Sequence, residues 1–195
     1  MSNLFQQMQI NAFRAGITPR TKESIDWFRK KGQSLRRVNR NSLMKEDPLQ
    51  LSGAVRPGAM VMFFYDPKTK DDLPYYDSFP LTIIVDRAPG GFYGLNLHYL
   101  PPILRAKFLD GLMDIATDKR YTDNTRFDVS YEYLKRSSKM KYFEPCFKRY
   151  LKSHMRSRFA IVPAPEWEIA TFLPTADFQK ASKTKVYSDS RRMIR

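Results

Sequence analysis

The sequence is poor in the residues that build metal sites, disulfides and phosphate-binding loops. It has one cysteine, Cys146, and two histidines, His98 and His154. A single cysteine excludes an intramolecular disulfide and indicates synthesis in a reducing compartment. With so few ligands a structural zinc site is excluded as well. The eight glycines form neither a GxxxxGK[ST] nor a GxGxxG pattern, so no glycine loop for nucleotide phosphates is predicted.

Long hydrophobic runs are also missing. No apolar run approaches the ~20 residues that a membrane-spanning helix requires. Residues 1–13 lack the basic start and apolar middle of a secretory signal. We therefore expect no membrane span and synthesis in a cytoplasm.

Acidic residues are scarce relative to basic ones. The chain has 34 Lys and Arg against 20 Asp and Glu, a net charge of +14 over 195 residues. Residues 1–57 carry 11 basic and 4 acidic residues (+7), residues 58–134 carry 8 and 11 (−3), and residues 135–195 carry 15 and 5 (+10). A surplus confined to the flanks favours an anionic partner such as nucleic acid, a membrane surface or an acidic protein face; the alternative is a solvated surface.

The near-neutral middle of the chain carries the strand signals. Short apolar and aromatic runs at 61–65, 81–85 and 92–99 are separated by turn residues, among them Pro89-Gly90-Gly91. The prolines at 101–102 end the last run, because proline cannot donate to a strand ladder. The pattern predicts an α+β fold with a small antiparallel sheet, curled towards a partly closed barrel, in a core domain of residues 58–174.

Helical spacing of apolar residues indicates the remaining elements. Gly111 lowers the stability of the helix predicted at 103–116, which suggests that another element packs closely against it there. The alternation at 127–133 favours an edge strand, with a helix starting near Tyr131 as the alternative. A strand is predicted at 159–162 and a helix start at 165–168. The predicted helices cover 3–15, 21–31 with Gly32 after its end, 103–116, and 146–157 with Pro145 at its first turn.

The flanks are predicted to be arms around that core domain. Residues 1–57 are interpreted as a basic arm, partly helical and partly extended, and residues 175–195 as a second basic arm with one weak helical pattern around Phe178. Ordering a polar segment costs about 1–2 kcal/mol of backbone entropy per residue. We therefore expect the arms to become ordered on a partner surface.

Catalytic patterns are weak. The carboxylates of Asp66, Asp71, Asp72 and Asp77 could supply acid–base or two-metal chemistry, but the neighbouring Lys68 and Lys70 favour a solvated, self-compensating loop. His98 lies in an apolar run, where a hydrogen-bonded packing histidine is the common outcome. Cys146 and His154 would lie about 12 Å apart on one helix, too far for a nucleophile and its base. No catalytic residue, metal, cofactor or small-molecule substrate is predicted.

Basic clusters are the better candidates for function. Lys141-Tyr142-Phe143 interleaves charge with aromatic rings, a combination that suits phosphate neutralisation and base stacking. The predicted helix at 146–157 would present a basic face. The candidate residues for binding nucleic acid or a protein partner are Arg29, Lys30, Lys31, Arg36, Arg37, Arg40, Lys148, Arg149, Lys152, Arg156, Arg158, Arg191 and Arg192.

Several stretches resemble one family of small proteins encoded by contractile-tailed bacteriophages of the large-genome myovirus type. The longest is FFYDPKTKDDLPYYDSFPLTIIVDRAPGGFYGLNLHYLPP, which is followed by LRAKFLDGLMDI. Further similar pieces are CFKRYLKSHMRSRF, PAPEWEIATFLP and FQKASKTKVYSDSRR. The resemblance covers nearly the whole chain, and its motifs are structural rather than catalytic.

The resemblance implies a virion protein, or a protein acting on virion DNA, made in the cytoplasm of an infected bacterium. The preferred interpretation is a non-enzymatic structural component of the tail or baseplate, with other phage structural proteins as partners. The alternative is a DNA-binding virion protein that protects genome ends or contacts packaged DNA at the neck. A nuclease or hydrolase built on the aspartates at 66–77 is the third and most distant reading.

Overall fold

A computed structural model describes residues 3–117, 132–133, 136–137 and 140–195. The helices in these residues are α1 (Leu4–Arg14), α2 (Lys22–Ser34), α3 (Arg40–Leu43), α4 (Pro102–Thr117), α5 (Trp167–Phe172) and α6 (Lys183–Ile194). The strands are β1 (Gln50–Ser52), β2 (Met60–Met62), β3 (Tyr76–Asp77), β4 (Leu81–Ala88), β5 (Gly91–Asn96), β6 (Phe147–Leu151), β7 (Phe159–Val162) and β8 (Phe178–Gln179). No helix within these ranges is long and apolar enough to cross a bilayer.

Six of the strands form one antiparallel sheet in the order β1-β7-β2-β4-β5-β6, and β3 pairs with β8 in a second sheet. The α+β prediction is confirmed, as are strands in the three predicted apolar runs and at 159–162. The large sheet is open, with β1 and β6 at its edges, so it does not close into a barrel.

The predicted turn at Pro89-Gly90-Gly91 joins β4 to β5. Ala88 pairs with Gly91 across the hairpin, and Gly90 has φ +70°. Glycine occupies that left-handed conformation without the steric cost that a side chain would incur. The turn therefore positions β5 so that its free side can pair with β6.

The large sheet is covered on both faces. One face packs against the helices in a core that includes Met60, Leu81 and Leu95. The opposite face carries a second cluster, in which the ring of Phe63 contacts those of Tyr65, Phe92, Tyr150 and Phe159 at centroid distances of 5.2–6.0 Å. Aromatic pairs of this kind contribute about 0.5–1.5 kcal/mol beyond their buried area.

The N-terminal segment is not an extended arm, in contrast to the prediction for residues 1–57. Phe5 of α1, Phe28 of α2 and Leu43 of α3 are buried in the same core as the sheet residues. The side chain of Asn3 caps α1, and Thr21 forms a capping box with Ser24 at the start of α2. These few apolar residues order the segment because the rest of the chain supplies the surface that they cover.

Helix α2 also extends past its predicted end, since Gly32 lies inside it. A Cβ at Gly32 would overlap the backbone carbonyl of Phe172 at the end of α5. The glycine thus allows close helix packing and does not terminate α2.

The C-terminal segment is likewise folded, so the predicted arm at 175–195 is wrong as a description of its structure. Ser182 caps α6, the side chain of Val186 is fully buried, and Ser190 donates a hydrogen bond to the Tyr99 carbonyl at 2.7 Å. Phe178, placed at the centre of a helical pattern, lies in strand β8. The helical periodicity begins after Ser182, where the cap fixes the first turn.

The prediction of a helix at 103–116 is confirmed by α4, which starts at the second of the two prolines. A Cβ at Gly111 would lie 2.6 Å from the hydroxyl of Tyr133, so the expected close packing is present. The alternation predicted at 127–133 lies mostly outside the described residues, but the two described ones, 132–133, are helical and not in a strand.

The prediction of a helix at 146–157 is wrong, and the basic residues of this segment therefore do not lie on a helix face. Lys141–Cys146 form a 3-10 turn that contains Pro145, Phe147–Leu151 form strand β6, and Lys152–His154 form another 3-10 turn. The four-residue spacing of Phe147, Leu151 and Met155 misled the prediction. The free edge of β5 supplies backbone partners for β6, and Tyr150 enters the aromatic cluster, so tertiary pairing outweighs local periodicity.

Candidate nucleic-acid interface

The thirteen predicted basic residues are spread over several elements of the fold. The structure places them on separate elements: α2 and the segment that follows it, the β6 strand with the turns after it, and α6. On and around β6 it brings several of them to one feature of the surface. There Lys148 and Arg149 line a cleft, and Lys152 follows directly.

Several of these cations are already bound within the chain. Arg29 pairs with Asp26 at 2.9 Å, and Arg156 pairs with Asp66 at 3.0 Å. Arg40 donates to the carbonyls of Thr175 and Ala176 and pairs with Asp177. Arg192 pairs with Asp189, and Arg158 donates to the Leu51 carbonyl at 3.2 Å. Arg40 in particular stabilises the contact between the two ends of the chain.

Other predicted cations are exposed and have no ion pair with the residues that the structure describes. They are Lys30, Arg36, Arg37, Lys152 and Arg191. Lys31 is also exposed, and its ammonium lies 5.5 Å from the centroid of the Trp27 ring. An exposed cation that no carboxylate neutralises is available to a phosphate backbone. The structure thus leaves the charges of these residues exposed on the surface.

The cleft beside β6 has a volume of about 280 Å³. Its basic lining residues are Lys68, Lys148 and Arg149, and its one acidic lining residue is Asp77. Tyrosines form much of the remaining wall: Tyr65, Tyr76, Tyr99 and Tyr150. A small concave site with a few charged groups on an aromatic wall is a typical ligand site.

Lys148 has the most unusual environment in this cleft. Its side chain is half-buried, and its ammonium lies 4.3 Å from the centroid of the Tyr99 ring. Burial lowers the pKa of Lys148 below its usual value, because the charged form loses hydration. The sequence identified Lys148 correctly but placed it on a helix face, and nothing in the local pattern indicated Lys68 or Tyr99 as its neighbours.

Arg149 is fixed at the other side of strand β6. Its guanidinium donates to the Pro89 carbonyl at 2.9 Å, and its strand position pairs with Tyr93. The Tyr93 ring stacks on Phe147, with 5.5 Å between the centroids. The β4–β5 turn therefore holds Arg149 at the edge of the cleft.

A buried polar network lies behind the cleft. His98 bonds Asp77 through Nδ1 at 2.7 Å and Thr175 through Nε2 at 3.0 Å. Asp77 also accepts hydrogen bonds from the Asn96 side chain and from the backbone N–H groups of Phe79 and Asp177. Although burial opposes it, the pKa of Asp77 lies below its usual value because His98 and these donors stabilise the carboxylate.

The connectivity of Thr175, His98 and Asp77 is that of a nucleophile, base and acid. All three are buried, with His98 and Thr175 fully so, and a substrate cannot reach the hydroxyl. The network therefore fixes the β5 end against the C-terminal segment. His98 is the hydrogen-bonded packing histidine that was predicted, whereas the prediction of solvated aspartates fails at Asp77.

Two further sequence predictions need correction. Phe143 is buried and Tyr142 is half-buried against it, so the rings of Lys141-Tyr142-Phe143 pack inside the protein and are not a stacking platform. Cys146 precedes β6, and His154 follows it in a separate turn, so they do not share a helix. Burial raises the pKa of the Cys146 thiol to about 12, which makes it unreactive.

Among the residues that the structure describes, no three histidine, cysteine or carboxylate side chains group together in a way that could hold a metal ion. The described chemistry is thus that of exposed cations, a small basic cleft and a buried supporting network. It suits the binding of an anion.

Comparison with known proteins identifies the relatives of the chain. No curated protein and no solved structure is significantly similar to it. One family model, described as phage T4 terminal DNA protecting protein, matches residues 3–194. Since this match covers nearly the entire sequence, the chain is a bacteriophage protein and belongs to the phage T4 terminal DNA protecting protein family.

Proposed function

We propose that the protein binds the ends of linear phage DNA and protects them by occupying them, without catalysing a reaction. The observation that carries this proposal is the match of residues 3–194 to a family named for protecting terminal DNA. The net charge of +14 supports the proposal, as do the exposed cations on α2, after α2 and beside β6, which form no ion pair among the described residues.

Protection by occupancy depends on affinity and position rather than on reactive groups. Exposed cations such as Arg36, Arg37 and Lys152 supply attraction to any duplex, because each phosphate contact releases bound counterions. A preference for ends needs a further contact that only a terminus offers. The same protein then stays at the end and excludes an exonuclease.

The family name favours DNA over the tail or baseplate role that was first preferred. Contacts with other phage structural proteins stay a prediction. As a phage protein that protects DNA termini, it would act in the virion or in the infected bacterial cell.

The test compares DNA with and without ends. A linear duplex and a covalently closed circle of the same sequence are titrated with protein over a range of salt concentrations. We expect tighter binding to the linear form, a log–log salt slope of about −0.9 per phosphate contact, and slower digestion of the linear form by an exonuclease. Equal affinity for the two topologies, or unchanged digestion at saturating protein, would overturn the proposal.

A further inference from the structure

We propose that the cleft beside β6 binds the phosphate monoester at the end of a DNA strand, with the Lys148 ammonium as its principal partner. This inference rests on the proposed function and adds to it the contact that distinguishes an end from the interior of a duplex. A terminal monoester carries more negative charge than an internal diester, so a cation in a small cleft can discriminate between them.

Lys148 is a cation without an anion. Its ammonium contacts the Tyr99 ring, and no carboxylate of the described residues lies within ion-pair distance of it. A half-buried ammonium has lost part of its hydration, and an aromatic face replaces only a share of it. A bound phosphate would supply the missing charge and accept the ammonium protons.

Asp77 does not fill this role, although it lines the same cleft. Its carboxylate is buried and already accepts from the Asn96 amide, two backbone N–H groups and the ring of His98. Asp77 keeps its negative charge, but the three cations Lys68, Lys148 and Arg149 outnumber it in the lining of the cleft. The net charge of the lining is therefore positive, which favours an anionic ligand.

The walls of the cleft are fixed before any ligand arrives. Lys180 donates through its ammonium to the carbonyls of Lys70, Asp71 and Leu73, which secures the loop that carries Lys68. On the opposite wall the hydroxyl of Tyr65 accepts from the Leu151 N–H at 3.2 Å. A preformed site loses less entropy on binding than a flexible one.

The size of the cleft limits what enters it. Its volume of about 280 Å³ is just below the range of about 300–1,000 Å³ that is usual for small-ligand sites. It admits a phosphate with part of its sugar, and a double helix is far too wide, because the major groove alone is about 12 Å across. Only the terminus of a strand presents such a group.

The experiment measures affinity for a short duplex with 5′-phosphate ends, the same duplex with 5′-hydroxyl ends, and a version closed by hairpins at both ends. The variant is Lys148→Met, which keeps most of the aliphatic length and removes the charge. Lys152→Met is the matched control, because Lys152 is an exposed cation that follows the same strand and does not line the cleft.

We expect the native protein to bind phosphate ends about tenfold more tightly than hydroxyl ends, the size of effect that a charge-assisted hydrogen bond supplies. Lys148→Met should abolish this difference, whereas Lys152→Met should weaken all three duplexes by one common factor. Lys68→Met, at the exposed rim, should reduce the difference and provides a second variant if Lys148→Met does not fold.

Three results would overturn the inference. One is equal native affinity for duplexes with phosphate ends and with hydroxyl ends. If both affinities are still higher than that for the hairpin-closed duplex, the protein binds DNA ends as proposed, but not through the cleft. Another is equal affinity for all three duplexes, which removes the proposed function as well. The last is an undiminished preference for phosphate ends in both Lys148→Met and Lys68→Met, because the cleft would then not hold the phosphate.

Discussion

His98 shows how a single buried residue connects structure to pH. Burial lowers the pKa of His98 below its usual value, partly opposed by the Asp77 carboxylate. The neutral imidazole can donate from Nδ1 to Asp77 and accept at Nε2 from Thr175. The ring of His98 thus joins Asp77 in β3 to Thr175 in the C-terminal segment through two hydrogen bonds.

The lowered pKa of His98 predicts a loss of stability in mild acid. An unfolded histidine has a pKa of about 6.5, so below that pH the unfolded chain binds more protons than the folded one. The free energy of unfolding should therefore fall as the pH drops from about 7.5 to about 5.5. Urea denaturation at the two pH values measures this difference.

The variant His98→Gln separates the titration of His98 from its packing. It should lower the free energy of unfolding at pH of about 7.5 by about 1–3 kcal/mol, because the partners of the ring lose their hydrogen bonds. It should also reduce the decrease in the free energy of unfolding between pH of about 7.5 and about 5.5. His154→Gln, which removes the other histidine, is the matched control. A His98→Gln protein that still loses as much stability as the native one on acidification would show that other groups cause the effect.

Elements that local sequence determines were predictable, and elements that distant pairing determines were not. The apolar run 81–85 became β4 and 103–116 became α4, since each is bounded by turn residues or proline. Strand β6 was mistaken for a helix because its backbone partner, β5, lies about fifty residues earlier in the chain. The cleft could not be predicted for the same reason. Lys148 stands out in the sequence as a basic residue, but only the folded chain places its ammonium against Tyr99 and adds Lys68 to the same lining.

The contact between α2 and α5 predicts a strong effect of one methyl group. In Gly32→Ala the new Cβ would meet the carbonyl of Phe172, and the two helices would have to separate. Alanine stabilises a helix by about 1 kcal/mol relative to glycine, but overpacking typically costs about 1–3 kcal/mol. We therefore expect net destabilisation. Chemical denaturation of the variant measures it.

Gly53→Ala is the control for Gly32→Ala. Gly53 is exposed, and a Cβ there would meet nothing within 4 Å. This variant should leave the free energy of unfolding within about 0.5 kcal/mol of the native value. If Gly32→Ala were as stable as Gly53→Ala, α2 and α5 would not pack as closely as described.

The whole molecule differs most from what the sequence suggested in its termini. Charge asymmetry led to the prediction of two arms that order on a partner, yet α1, α2 and α6 contribute Phe5, Phe28 and Val186 to the central core. The charge on these helices is carried on the side away from that core, as on Lys30 and Arg191. A strongly basic surface and a folded element are therefore compatible, because amphipathic helices separate the two requirements.

This arrangement predicts that the termini are folded before DNA binds. In hydrogen exchange of the free protein, the amides of α1, α2 and α6 should exchange much more slowly than an unfolded peptide of the same sequence, because packed helices exchange through rare openings. Adding a phosphate-ended duplex should slow exchange further in β6 and in the loop at 67–73, which border the cleft. If the amides of α1 and α6 exchanged freely in the free protein and became protected only with DNA, the termini would be arms that order on a partner. That result would contradict the packing of α1 and α6 in the central core.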